Sequence, residues 1–283
     1  MDLYSAIINR ESVRRYRGES LHKQLLDMID EIVDHSRPLV EENRFRIMRR
    51  DVVTGEDLIA AMGGYGRILT PPHYLVASAV GDRAPLVDLG YRMEQIAIQM
   101  VQLGVSVCFI GSLNREANVR VRFRLNRQAR TGAFLIFGHA AETVPGRTIN
   151  AVIRKASGGA AKLEAKDVFY DGSFEQPALP PKALMKLIEA ARRAPSANNA
   201  QPWRFLWQAG TLTLFVQKYN PRYGNKAELQ EYRYFDGGIC MANVALALEA
   251  LGIPGDWELL NTSTLGVPDH PATLEPLAKL KLS

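Results

Sequence analysis

Asp236-Gly237-Gly238-Ile239-Cys240-Met241-Ala242-Asn243-Val244-Ala245-Leu246-Ala247-Leu248-Glu249-Ala250-Leu251-Gly252 reads as one long helix, apolar on more than one face. A helix without a continuous polar face belongs in an interior rather than on a surface. The stretch has a diverged copy upstream. At an offset of 236 − 88 = 148, Asp88 matches Asp236, Gly90 matches Gly238, Ala97 matches Ala245 and Leu103-Gly104 matches Leu251-Gly252. Each copy is expected to open on an acidic cap, to close on a glycine that accepts a left-handed conformation, and to lead into a strand. A second correspondence, at 182 − 23 = 159, sets Lys23-Gln24-Leu25 beside Lys182-Ala183-Leu184 and Ile29 beside Ile188. Two matches in the same order favour an internal duplication.

Around these anchors the first half reads as helices over Leu3–Asn9 and Leu21–Asp34, strands over Arg44–Arg50 and His73–Val80, the long helix, and strands over Val105–Ile110 and Gly132–Gly138. The second half reads as a helix over Pro181–Arg193, strands over Trp203–Gln208 and Leu212–Gln217, the long helix, and a strand over Trp257–Leu260. Pro145-Gly146, Ser157-Gly158-Gly159 and Pro180-Pro181 mark an irregular crossover. Mixed helices and strands without regular alternation predict an α+β sandwich of sheet and helices with the long helices packed at its centre. The expected halves are 1–160 and 161–283, folded as an intramolecular pseudo-dimer.

Composition excludes more than it selects. With 283 residues, 47% hydrophobic and 23% charged, the chain can bury one large core or two ordinary ones. A net charge of +5 and a pI near 9.2 favour anionic ligands without requiring nucleic acid. Cys108 and Cys240 are the only cysteines, in no C-x-x-C, which fits a reducing compartment with both packed as small core residues. No basic-then-apolar leader opens the sequence, and runs such as Tyr74–Val80 and Val244–Leu248 fall short of a membrane span, so the expectation is a cytoplasmic protein. His22, His35, His73, His139 and His270 are scattered, without H-E-x-x-H, and no G-x-S-x-G occurs, which argues against metal hydrolysis and a serine nucleophile. The arginines at 115, 120, 122, 124, 127 and 130 could line a nucleic-acid groove, but no aromatic platform interleaves them beyond Phe123; a solvated face is the simpler reading.

Two short stretches carry chemistry. Arg10-Glu11-Ser12-Val13-Arg14 places two guanidiniums four residues apart at a helix end, with a hydroxyl between them, where they can converge on one phosphate. A solvated basic helix end would look the same. Pro195-Ser196-Ala197-Asn198-Asn199-Ala200-Gln201-Pro202-Trp203 stops a helix, turns through short polar residues and enters a strand. Together they resemble the two signature stretches of the FMN-dependent nitroreductase family, and most closely its single-chain subgroup with two degenerate halves. The resemblance implies a nitroreductase-like fold with Arg10, Ser12 and Arg14 on the flavin phosphate, and Pro195, Ser196, Ala197 and Asn199 beside the ring and ribityl chain. It further implies Ile110-Gly111 at the strand end whose backbone approaches flavin N5, and Arg154 as a further basic phosphate contact, although an exposed basic pair with Lys155 fits equally. His35-Ser36-Arg37-Pro38 and the run from Asp171 to Pro180 stand where the missing second copies of each motif would recur, which implies one FMN per chain.

The implied activity is NAD(P)H-dependent reduction of an electron-poor small molecule, such as a nitroaromatic or quinone, by ping-pong hydride transfer through the flavin, with no catalytic side chain and no metal. NAD(P)H would be a passing substrate, since no G-x-G-x-x-G follows a strand. The alternative is a non-catalytic FMN-binding protein for storage or sensing. The expected partners are a small-molecule acceptor and, beyond the pseudo-dimer, a possible second copy; neither nucleic acid nor membrane is expected.

Overall fold

Both long apolar stretches are helices, and they lie against each other at the centre of the molecule. The computed structural model describes residues 1–51, 63, 64, 69, 71–141, 161–260 and 266–282. In chain order these form α1 (Leu3–Asn9), α2 (Lys23–Asp34), β1 (Arg44–Arg50), β2 (His73–Val80), α3 (Pro85–Gln102), β3 (Ser106–Gly111), α4 (Glu116–Arg122) and β4 (Ala133–Gly138). Then follow α5 (Ala165–Val168), β5 (Phe169–Asp171), α6 (Lys182–Arg193), β6 (Trp203–Gln208), β7 (Thr211–Gln217), α7 (Ala227–Gln230), α8 (Tyr232–Leu251), β8 (Gly255–Leu259) and β9 (Leu274–Leu282).

The strands make two sheets. One, ordered β1-β2-β4-β3, is antiparallel throughout; the other, β5-β6-β7-β9-β8, is antiparallel except where β5 runs parallel to β6. α3 packs on β2 and β3, α8 packs on β6, β7 and β8, and the two helices pack on each other. The layers therefore run sheet, helix, helix, sheet, and one hydrophobic core joins them, with Met93, Ile96 and Ala97 from α3 beside Ile239, Met241 and Val244 from α8. The segment Ala227–Leu251 is long and apolar enough to cross a membrane, but 72% of its most apolar window is buried inside the protein, as expected of a core helix.

Two glycines set how closely the helices cross. A Cβ added to Gly90 would lie 2.1 Å from the Phe235 carbonyl oxygen, and one added to Gly238 would lie 1.9 Å from that of Val87. Only hydrogen atoms fit in that gap, so the backbones touch where the matched glycines stand. The closing glycines behave as expected too, with φ of +79° at Gly104 and +65° at Gly252.

The acidic residues do not cap. α3 begins at Pro85 and α8 at Tyr232, so Asp88 lies in the first turn of its helix and Asp236 in the second turn of its own, and both are buried. Asp88 accepts hydrogen bonds from the Leu39 amide (2.7 Å) and from Asn43 Nδ2 (3.1 Å); Asp236 accepts from the Ala197 amide (2.9 Å). A buried carboxylate needs such donors, and in both halves the donors come from the loop after a 12-residue helix, α2 or α6, that begins at one of the aligned lysines. Helix, suspended loop and strand thus recur in the same order. Strand β9 was not expected from the sequence: Pro276 interrupts its pattern and sits where the register with β7 shifts, between Leu214 and Phe215. Proline is tolerated at such a bulge.

Candidate functional site

The phosphate-side residues lie on extended backbone. Arg10 caps α1, its amide bonding the Ala6 carbonyl, and beyond it Ser12 bridges in parallel to Val107 while the Val13 amide bonds the Val107 carbonyl. The helix ends at Asn9 as expected, with Arg10 as its cap, and Arg14 lies beyond it. The residues still converge: Arg10 Nη1 reaches Ser12 Oγ at 3.5 Å, and the charges of Arg14 and Arg10 both act on the buried Cys108 thiol beside them, although burial dominates and pushes that thiol up.

The ring-side loop follows α6. Pro195 is buried, Ser196 and Ala197 are half-buried, and Asn199 is buried inside a 3-10 turn. Three residues, Asn198 (φ +51°), Asn199 (+54°) and Gln201 (+47°), are left-handed. Asparagine tolerates that region through its short polar side chain, whereas glutamine does so only where surroundings impose it. Here they do. Ser196 Oγ accepts from the Gln201 amide (3.0 Å), Asn198 Nδ2 donates to the Arg222 carbonyl (2.8 Å), and Asn199 Nδ2 donates to the Ala161 carbonyl (2.8 Å).

Between the two segments lies a buried polar cluster. Arg10 Nε is 3.6 Å from Glu94 Oε1 of α3, with both side chains almost fully buried. Lys162 Nζ donates to the Ala194 carbonyl (2.6 Å), at the start of the ring-side loop, and its charge acts on both Arg10 and Glu94. Burial pushes Glu94 up to about 7, against the pull of Arg10 and Lys162; burial, helped by Arg10, pushes Lys162 down to about 7. Burial also lifts Asp236 to about 7, although Tyr223 Oη (2.7 Å) and the Ala197 amide donate to it. Among the described residues, Arg10 Nε and both Glu94 oxygens have no hydrogen-bond partner.

The exposed Gly111 ends β3, with Ile110 buried before it. A Cβ at Gly111 would lie 2.2 Å from Tyr232 Oη, which accepts from the Leu113 amide at 3.1 Å. The Tyr232 ring is 5.9 Å from that of Tyr223, which bonds Asp236. Gly111 is thereby joined to the ring-side loop through two tyrosines and an aspartate. Arg154 lies outside the described residues.

Glu94, Lys162, Tyr223, Tyr232 and Asp236 did not emerge as site residues from the sequence. Only Glu94 left a usable trace, a carboxylate beside Met93 on the apolar side of a core helix. Of the arginine run, Arg130 pairs with Glu116 (3.1 Å) and Glu231 (2.7 Å), and Arg120 donates to the Ala129 carbonyl (2.9 Å). No group of three or more His, Cys, Asp or Glu among the described residues could hold a metal ion.

Among the described residues, cations, a hydroxyl and strained polar turns gather beside a helix pair, a chemistry suited to an anionic group. The family model described as "Putative TM nitroreductase" matches residues 2–248, and the chain belongs to that nitroreductase family of oxidoreductases. A "putative nitroreductase" from Thermotoga maritima has a similar structure, with a TM-score of 0.59 at 17% identity over 100% of this chain and 94% of its own. A Clostridium difficile structure described as an FMN-dependent nitroreductase aligns with a TM-score of 0.42 at 18% identity, over 49% of this chain and 88% of its own. A Desulfovibrio desulfuricans "putative nitroreductase" in complex with FMN aligns with a TM-score of 0.42 at 19% identity, over 50% and 87%. No curated protein matches this chain.

Proposed function

We propose that the protein is an FMN-dependent oxidoreductase in which NAD(P)H reduces the flavin and an electron-poor small molecule, such as a nitroaromatic or quinone, reoxidises it in a ping-pong cycle. One observation carries this reading. Arg10 lies 3.6 Å from Glu94, and Lys162, which donates to the carbonyl of Ala194, 184 residues after Arg10 (194 − 10), is buried within electrostatic reach of both. The residues fit the cofactor on the protein's own chemistry: Arg10 Nε is a buried donor without an acceptor, and Arg10, Arg14 and Lys162 concentrate positive charge where a phosphate dianion would relieve it. Arg10, Ser12 and Arg14 would hold the phosphate, and Pro195, Ser196, Ala197 and Asn199 would flank the ring and ribityl chain. The backbone of Ile110-Gly111 would face the ring, with Arg154 a further phosphate contact.

FMN supplies hydride acceptance and donation when bound; the chain contributes placement and an electropositive floor. We propose also that 1–160 and 161–283 are the two halves of a pseudo-dimer, and that the protein works in the reducing cytoplasm, as its two free, buried cysteines suit. The decisive experiment is the visible spectrum after FMN incubation and desalting, followed by anaerobic NADH or NADPH. Retained flavin that bleaches and recovers with a quinone supports the reductase. Retained flavin that does not bleach means storage or sensing, and no retained flavin ends the proposal.

A further inference from the structure

Glu94 belongs to neither signature stretch. Its side chain is fully buried on α3 beside Arg10 and within the field of Lys162, and its ion pair with Arg10 is too long for a hydrogen bond, so four lone-pair positions on two carboxylate oxygens go unused. Buried carboxylates normally accept hydrogen bonds from N–H or O–H donors, as Asp88 and Asp236 do in the same molecule. The contrast is within one pair of helices: two acids hydrogen-bonded by protein donors, and a third engaged only by charge. A carboxylate left in that condition is built to receive donors from something else.

Position says which donors. Glu94 touches Arg10 on the phosphate side, and Lys162 links both to Ala194 at the root of the ring-side loop. What lies between phosphate and ring in FMN is the ribityl chain, which carries three hydroxyls, so this inference rests on the FMN reading. We infer that Glu94 is a cofactor-binding residue whose carboxylate accepts hydrogen bonds from ribityl hydroxyls. A hydroxyl donating to a buried carboxylate is a charge-assisted bond.

The test compares Glu94→Leu with the wild-type chain against three flavins by fluorescence titration: FMN, riboflavin, which lacks the phosphate, and lumiflavin, which lacks the ribityl chain. Glu94→Leu should weaken FMN and riboflavin by the same factor, about tenfold or more, and leave lumiflavin unchanged. Loss for FMN alone would overturn the inference, since Glu94 would then act only through Arg10 on the phosphate. Equal loss for all three, or for none, overturns it as well. Should Glu94→Leu fail to fold, Glu94→Gln keeps one acceptor oxygen and should show the same ligand pattern with a smaller factor. If the wild-type chain binds none of the three flavins, the FMN reading fails instead.

Discussion

Asp236 shows how one buried side chain can hold a strained loop. Its Oδ2 takes both the Ala197 amide and the Tyr223 hydroxyl, and the turns those donors belong to are laced together by Asn198 to Arg222 and by Asn220 Nδ2 to the Ala200 carbonyl. Asp236→Leu would orphan both donors, each at about 1–3 kcal/mol, and should lower both the unfolding free energy in urea and flavin retention. Asp236→Asn keeps an acceptor and separates charge from geometry. Because burial raises the folded-state pKa to about 7 from the ordinary aspartate value of 3.8, the carboxyl's contribution to stability is complete below the lower value and is lost as pH rises through the higher one. The asparagine variant should therefore gain on the wild type between pH 4 and 7, at up to about 1.4 kcal/mol per pH unit, and parallel urea-midpoint curves would refute the shift. Lys162 has the opposite sign. Its folded pKa is lowered to about 7 from 10.5, so its contribution is complete above 10.5 and lost as pH falls through 7; Lys162→Met should gain on the wild type as pH drops across that window.

At the scale of elements, the crossing of α3 and α8 rests on Gly90 and Gly238, where a methyl group would meet backbone rather than a side chain able to move. Gly238→Ala should cost about 1–3 kcal/mol or more, by forcing apart helices that the whole core is packed around. Since both glycines keep open one gap, adding Gly90→Ala should cost less than the sum of the singles, a departure measurable in a double-mutant cycle by denaturant unfolding. This pair was legible in sequence because a buried helix must be apolar all round and because its copy preserved Asp, Gly and Leu-Gly in register. Its start was misread because an aspartate before glycine resembles an N-cap, and nothing local reveals that the aspartate serves a loop 39 residues upstream (236 − 197). β9 escaped because Pro276 breaks the alternation that marks a strand, and only a partner strand supplies the bulge that excuses it. The site was legible in its two motifs and not in what joins them, since Lys162 and Tyr232 gain meaning only from distant residues.

For the molecule as a whole, the repeated plan has been filled unequally. The loop hung from Asp88 contains none of the positive-φ residues that mark its counterpart, and several of its polar groups are already engaged: Arg37 pairs with Glu249, Arg92 donates to Ser36 Oγ at 3.2 Å, and Gln95 holds the Arg37 backbone. The extended segment of the second half is no better equipped, for β5 reads Phe169-Tyr170-Asp171 and offers an anion no cation. A duplicated fold with one furnished site should bind one FMN per chain, so flavin released by acid from the desalted protein should equal the chain concentration. Two per chain would mean that the Asp88 loop opens to admit a ligand its hydrogen bonds oppose. The furnished site should in turn answer to its phosphate side. Arg14→Glu reverses a charge that acts beside Cys108, and it should weaken FMN by about a hundredfold while changing riboflavin affinity little, because the like charges meet only when the phosphate is present. Equal losses for both ligands would place Arg14 on some other part of the cofactor.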